Sequence, residues 1–258
     1  MRYSVCLSYD GSSFYGWQIQ PGVPTVQESL ESTISRLLGR RISVTGAGRT
    51  DTGVNASGYI AHFDTDWPLP YTQEDFCYKL NAMLPHGVAV LSVSPVADDF
   101  HARFDARRRE YTYFIHRHKD PFVRNYSWQC GYPDLNFDAM NAACSHLAGT
   151  HDFRCFQKTG TDVKTSVCTI YEAFWAPYTP SYLNIFSAPQ APEGYWYFRI
   201  AADRFLRNMV RAVVGSLIEV GRGKHDPEWI ARLIESGTRS EAGESVPGHA
   251  LFLSKVLY

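Results

Sequence analysis

The stretch Gly48-Arg49-Thr50-Asp51-Thr52-Gly53-Val54-Asn55-Ala56 decides how the rest of the chain is read. It sets one carboxylate in a turn of small residues, two positions after an arginine. Ile42-Ser43-Val44-Thr45 before it and Gly58-Tyr59-Ile60-Ala61-His62-Phe63 after it alternate as half-buried strands do. Asp51 is therefore expected on a loop between two strands, where a rigid frame can present a reactive group.

Outward from that loop the first half of the chain organises itself. Residues 2–8 alternate as a strand, and Thr25 with Glu28 makes a capping box. The helix it opens carries the stripe Val26, Leu30, Ile34, Leu37 and Leu38, and Gly39 stops it. Thr72 and Asp75 open a second helix with Phe76, Leu80, Met83 and Leu84 on its apolar side, and Val88 to Val93 reads as a strand. Strand, helix, strand, strand, helix, strand is the order of a ferredoxin-like unit, with helices on one face of an antiparallel sheet. Pro95 to Asp99 reads as a boundary, which gives domains 1–98 and 99–258 and an α+β fold class.

The second half repeats the mixed style. Tyr111, Tyr113 and Ile115 share one strand face, and a helix follows from about Asn136 with Phe137, Met140, Cys144 and Leu147 on one side. Residues 154–166 read as a loop, Thr169 to Trp175 as a strand and Pro177 to Pro192 as a proline-rich excursion. Trp196, Phe198 and Ile200 mark another strand, which runs into a long apolar helix from near Phe205 to Gly221. On that helix Arg204, Arg207 and Arg211 are spaced to share one face. Arg211, between Val210 and Ala212, either snorkels to water or meets a carboxylate in a partly buried site. Asp226-Pro227 caps a last helix, and Leu251 to Leu257 closes as a strand.

Composition narrows the function classes. The 258 residues are 45% hydrophobic and 20% charged, ordinary for a soluble protein with a full core. No apolar run approaches the ~18 residues of a membrane span, and Met1-Arg2-Tyr3-Ser4-Val5-Cys6 has no signal-peptide character, so a cytosolic protein without a membrane partner is expected. The six cysteines form no CxxC pair, and the nine histidines give neither HExxH nor zinc spacing. Net charge is −1, but Arg103, Arg107, Arg108, Arg109, Arg117, Lys119 and Arg124 crowd one span with Phe104, Tyr111, Tyr113, Phe114 and Phe122 among them. Local charge of that kind suits a polyanion partner despite the near-neutral whole.

Several motifs in register then carry a resemblance. Gly48 to Val54, Phe100-His101-Ala102-Arg103-Phe104, Arg109-Glu110-Tyr111-Thr112-Tyr113 and Phe205-Leu206-Arg207-Asn208-Met209-Val210-Arg211 resemble the motifs of the tRNA pseudouridine synthase A family, in the family's order. Tyr9-Asp10-Gly11 with Gly16-Trp17-Gln18, and Val214-Gly215-Ser216-Leu217, are similar to its first and late signatures. The resemblance implies an isomerase that converts uridine to pseudouridine in the anticodon stem-loop of tRNA, at positions 38 to 40, with no cofactor and no metal. It implies two ferredoxin-like (RRM-like) halves whose antiparallel sheets meet across a central basic cleft, in a homodimer. By residue, it makes Asp51 the catalytic carboxylate, Tyr111 the tyrosine against the target uracil and Arg211 the arginine paired with the aspartate. Arg49 takes the base-flipping position, and Phe100, His101, Ala102, Arg103, Phe104 and Lys164, in the 160–164 loop, take substrate contacts.

The residue types suit that chemistry. Cleaving the N1–C1′ bond asks for a carboxylate, which either attacks sugar or base or helps remove a sugar proton, and a neighbouring arginine keeps it ionised. A freed uracil must turn without escaping, which an aromatic side chain over it prevents. One departure stands out: the family usually reads Gly-Val-His after the aspartate, and here Asn55 replaces the histidine. Asparagine keeps a hydrogen-bonding tip but exchanges no proton near neutrality. If that position only braces the loop, activity survives; if it touches RNA, the choice of uridine has drifted. The other readings are a non-catalytic RNA-binding relative, which would release no tritium from C5-labelled uridine, and a glycoside or nucleoside hydrolase, whose product would be free uracil.

Overall fold

A computed structural model describes residues 1–160, 164–185 and 193–258. Thr161, Asp162 and Val163 of the expected RNA-contact loop, and residues 186–192 of the proline-rich excursion, lie outside the described residues. By contact the chain divides into two compact units, Met1–Arg109 with Phe252–Tyr258, and Glu110–Leu251; the sequence had suggested a seam at Pro95–Asp99.

In the first unit the elements run β1 (Arg2–Tyr9), α1 (Val26–Leu38), β2 (Val44–Gly46), β3 (Asn55–Asp64), α2 (Gln73–Met83) and β4 (Val88–Val96). The caps are the expected ones. Thr25 Oγ1 accepts from the Glu28 N–H and Thr72 Oγ1 from the Asp75 N–H, and Gly39 ends α1 in the left-handed region. β1 is central, antiparallel to β3 on one side and to β4 on the other. Its alternation buries Tyr3, Val5, Leu7 and Tyr9, and the core is completed by Val26, Leu30 and Ile34 of α1, Phe76 and Leu80 of α2, and Phe63 of β3.

The far edge of β3 has two partners. β2 pairs antiparallel with its end, Val44 opposite Phe63. Its start pairs in parallel with the closing strand β10 (Leu251–Leu257), Phe252 opposite Asn55 and Leu253 opposite Ala56. The chain therefore returns from the second unit to back the first residues after the Asp51 loop.

In the second unit β5 (Arg108–His116) neighbours β9 (Tyr195–Ala202), which pairs antiparallel with β8 (Val167–Pro177), which pairs antiparallel with β7 (Gly149–Asp152). The two-residue β6 (Trp128–Gln129) lies parallel beside Ile115 and His116. The helices are α3 (Phe137–Ser145), α4 (Ser181–Ile185), α5 (Met209–Gly221) and α6 (Trp229–Ser236).

Two expectations about these helices need correction. α5 begins at Met209, not near Phe205, because Asn208 turns into the left-handed region at φ 64°, a conformation asparagine tolerates better than most residues. Arg204 and Arg207 precede the helix and do not share a helical face with Arg211. At α6 the capping position is Glu228, without a side-chain cap bond, and the Asp226 carboxylate pairs with Arg232 at 2.7 Å instead. Among the described residues no helix is long and apolar enough to cross a membrane.

Candidate active site

Asp51 lies on the loop between β2 and β3, half-buried, with Arg49 exposed two residues earlier. The main chain of this loop is gripped at nearly every step. The Ala47 N–H donates to Ile60 O at 2.8 Å, the Tyr59 hydroxyl donates to Gly48 O, and the Trp17 N–H donates to Thr50 O at 3.2 Å. Thr50 Oγ1 and the Tyr9 hydroxyl share a buried hydrogen bond of 2.9 Å. The Val54 N–H donates to Asp51 O at 3.1 Å, and the Gly53 N–H reaches Phe14 O at 3.4 Å. Trp17 and Tyr59 stack beneath, with ring centroids 4.2 Å apart, so Trp17 is a packing residue.

Gly16 shows how close the fit is. Its φ is +88°, and a Cβ there would overlap Thr50 O, the carbonyl that immediately precedes Asp51. Asn55, at 1% exposure, turns its Oδ1 to accept from the Gly11 N–H at 2.8 Å. The residue that departs from the family pattern thus braces the end of the loop.

Phe100 to Phe104 form a second fixed turn of the same unit. The Ala102 N–H donates to His62 Nδ1 at 3.1 Å, the Tyr258 hydroxyl donates to Ala102 O at 2.7 Å, and the His101 N–H donates to Asp105 at 2.7 Å. Burial, with the nearby Arg2 and His101 adding to it, pushes the His62 imidazole down to about 4, so it is neutral and able to accept. On this base Phe104 stands 73% exposed, His101 packs on it at 4.3 Å between centroids, and the Arg103 guanidinium lies 5.5 Å from its ring.

Arg109 joins the two turns. Its guanidinium donates to Ala47 O at 3.0 Å, Arg103 O at 2.6 Å and Ala106 O at 3.1 Å. In the sequence Arg109 belongs to a basic span and opens the Arg109–Tyr113 motif, and neither assigns it this role. No local pattern could have shown its role, since two of its three partners sit in another motif or far upstream.

The remaining expected residues lie in the second unit. Tyr111 on β5 is half-buried and meets Phe205 edge-on at 5.0 Å. Tyr113, two residues on, is fully buried and its hydroxyl donates to Pro247 O at 3.0 Å, so it serves the core. Burial raises the Tyr113 hydroxyl well above its ordinary value, against the opposing charge of Arg211. Arg211, in the first turn of α5, donates from Nε to Val246 O at 2.7 Å and accepts at its own carbonyl from the Val246 N–H at 3.3 Å. Lys164 is exposed ahead of β8. Among the described residues no group of three or more His, Cys, Asp or Glu could hold a metal ion.

The family description of tRNA pseudouridine synthase matches residues 5–105 and 143–258, covering both the Asp51 loop and α5. The chain belongs to that family. It is similar to tRNA pseudouridine synthase A of Parabacteroides distasonis, 46% identical over all of this chain and 96% of the relative. The corresponding synthase of Porphyromonas gingivalis is 42% identical over all of this chain and 97% of the relative, and that of Bacillus subtilis 41% over all of this chain and 99% of the relative. As a pseudouridine synthase it is an isomerase, and the likeness spans the whole chain.

Proposed function

We propose that the chain isomerises uridine to pseudouridine in the anticodon stem-loop of tRNA, at positions 38 to 40, with Asp51 as the catalytic carboxylate. The observation that carries this reading is the braced loop. A half-buried acid is presented on main chain fixed from Ala47 to Val54, as a reaction demanding exact placement requires.

The reaction breaks N1–C1′, turns the uracil and joins C5 to C1′, with the C5 proton leaving and N1 gaining one. Atoms and electrons balance within the substrate, so carboxylate, arginine and tyrosine are a sufficient set. Asp51 opens the glycosidic bond, with Arg211 holding it ionised. Tyr111 packs against the uracil while it turns, and its hydroxyl serves in proton transfer when C5 loses its proton. Arg49 occupies the space left when the base is flipped out. Phe100 to Phe104, with Arg103 at their tip, and Lys164 contact the surrounding RNA.

The Asn55 bond to Gly11 favours a loop-bracing role at that position, which leaves the choice of uridine as in the family. The order β1, α1, β2, β3, α2, β4, with β1 between β3 and β4, supports a ferredoxin-like first half. We extend this to two such halves facing a basic cleft, acting as a cytosolic homodimer.

The test is tritium release from C5-labelled uridine in tRNA, followed by mapping of the modified positions. Asp51→Asn should lower turnover roughly a thousandfold or more. Its tRNA affinity should stay within about threefold, because phosphate contacts dominate affinity. An active Asp51→Asn enzyme removes Asp51 from the mechanism.

A further inference from the structure

A cavity of about 650 Å³ opens in the second unit, lined by Lys158, Thr159, Asn208, Arg211, Thr238, Arg239, Ser240 and Ser245. That volume is within the roughly 300–1,000 Å³ of ordinary ligand sites, but the lining is not the usual apolar one. It comprises three cations, four hydroxyls and one amide. One lining hydroxyl is already engaged: the Thr238 N–H and hydroxyl both donate to the Glu241 carboxylate, at 2.7 Å each.

The walls are built rather than incidental. Asn208 turns its amide from the helix to donate to Ser245 Oγ at 2.5 Å. Arg239 donates to the same oxygen at 2.8 Å and to Gly243 O at 3.0 Å, which fixes the plane of its guanidinium. The turn behind them is bound to α5. The Gly243 N–H donates to Ser216 Oγ at 2.9 Å, and a Cβ on Gly215 would overlap Glu244 O. On the other side the Lys158 N–H donates to Arg207 O at 3.0 Å, which sets the Lys158–Thr159 wall against the start of α5. Converging cations and hydroxyl donors on a fixed frame suit an oxyanion, and a planar guanidinium suits one with two free oxygens.

We infer that this cavity binds a phosphodiester of the RNA backbone, with Arg239 and Lys158 as its principal contacts and Arg211 a third cation in its lining. The inference rests on tRNA being the substrate, and assigns to Arg239 and Lys158 a role that neither the motifs nor the Asp51 loop supplies. A linkage held there anchors the RNA strand, so Arg239 and Lys158 govern the hold on RNA rather than the chemical step.

Equilibrium binding of a tRNA transcript to the full-length protein across a salt series tests this, alongside steady-state tritium release. Arg239→Gln and Lys158→Gln should each raise the tRNA Kd roughly tenfold and flatten the slope of log K against log salt by roughly 0.7–0.9. KM should rise with little change in kcat. Arg239→Lys should recover the slope but only part of the affinity, since it keeps the charge and loses the fork. Lys158→Gln guards against a folding artefact, because Arg239 also ties its own turn; thermal midpoints of both variants are compared with the parent.

Unchanged Kd and salt slope in both glutamine variants overturns the inference. So does loss of inorganic phosphate binding, measured by calorimetry, with tRNA binding intact, which would mark a site for the free ion. The isomerase reading fails separately, through absence of tritium release by the parent protein, and the binding series still judges the cavity.

Discussion

The loop that carries Asp51 is held mainly through its own carbonyls and N–H groups, whereas the turn that carries Arg239 adds side-chain bonds of its own to its backbone anchors on α5. Around Asp51, carbonyls and N–H groups from Ala47 to Val54 meet strand, tyrosine and tryptophan partners, and Gly16 leaves no room between two backbones. Around Arg239, one serine oxygen collects an amide and a guanidinium, and the backbone behind is tied to α5 through the Gly243 N–H. The difference matches what the proposed roles ask of each region. A reacting carboxylate loses most of its effect when displaced by about an ångström, while long cationic side chains still find a phosphate after a small shift.

That contrast can be broken by substitution. Gly16→Ala should have the largest effect, because strain at positive φ adds to a clash with Thr50 O. We expect a stability loss of about 2–4 kcal/mol in chemical denaturation and, in the fraction that folds, a kcat at least roughly a hundredfold lower. Ser245→Ala should cost far less. Its two donors are near water, so stability should fall by no more than about 1 kcal/mol and KM for tRNA should rise only a few-fold, with kcat preserved. Steady-state kinetics on both variants decides the matter; a collapse of kcat in Ser245→Ala would show that the two regions are built alike.

The smallest effect near neutrality concerns the Phe100–Phe104 turn. His62 has its folded pKa lowered to about 4 from an ordinary 6.5, so the unfolded chain binds the proton more readily. Its contribution to stability is whole above about 6.5, declines as pH falls through that window and is gone below about 4. Urea midpoints measured across this range should fall with pH in the parent and fall less in His62→Gln. An equal slope in both would separate the turn from His62.

What was legible in the sequence was mostly local. Thr25 and Thr72 announced their helices because a cap and its partner lie three residues apart, and α3 was legible from the apolar spacing of Phe137, Met140 and Cys144. The Asp51 loop was legible because alternation on both sides named its strands. The start of α5 was misread because Phe205 to Arg207 continue the helical spacing, and only the backbone of Asn208 interrupts it. β6 and β7 were too short to show a period. Tyr111 and Tyr113 were indistinguishable by pattern, and burial separates them. Arg109 and Arg239 make contacts that depend on the folded path of the chain, so their residue type showed charge and nothing of its use.

The parallel pairing of Phe252 and Leu253 with Asn55 and Ala56 has a consequence for biosynthesis. Translation must run through all of Glu110–Leu251 before β10 exists, so a nascent chain already displaying the aspartate still has an open seam beside it. Bare strand margins invite misassembly with neighbouring polypeptides. The Asp51 loop therefore lacks this backing until β10 has been made, and a chain released before then would be left with the loop unsupported at that margin.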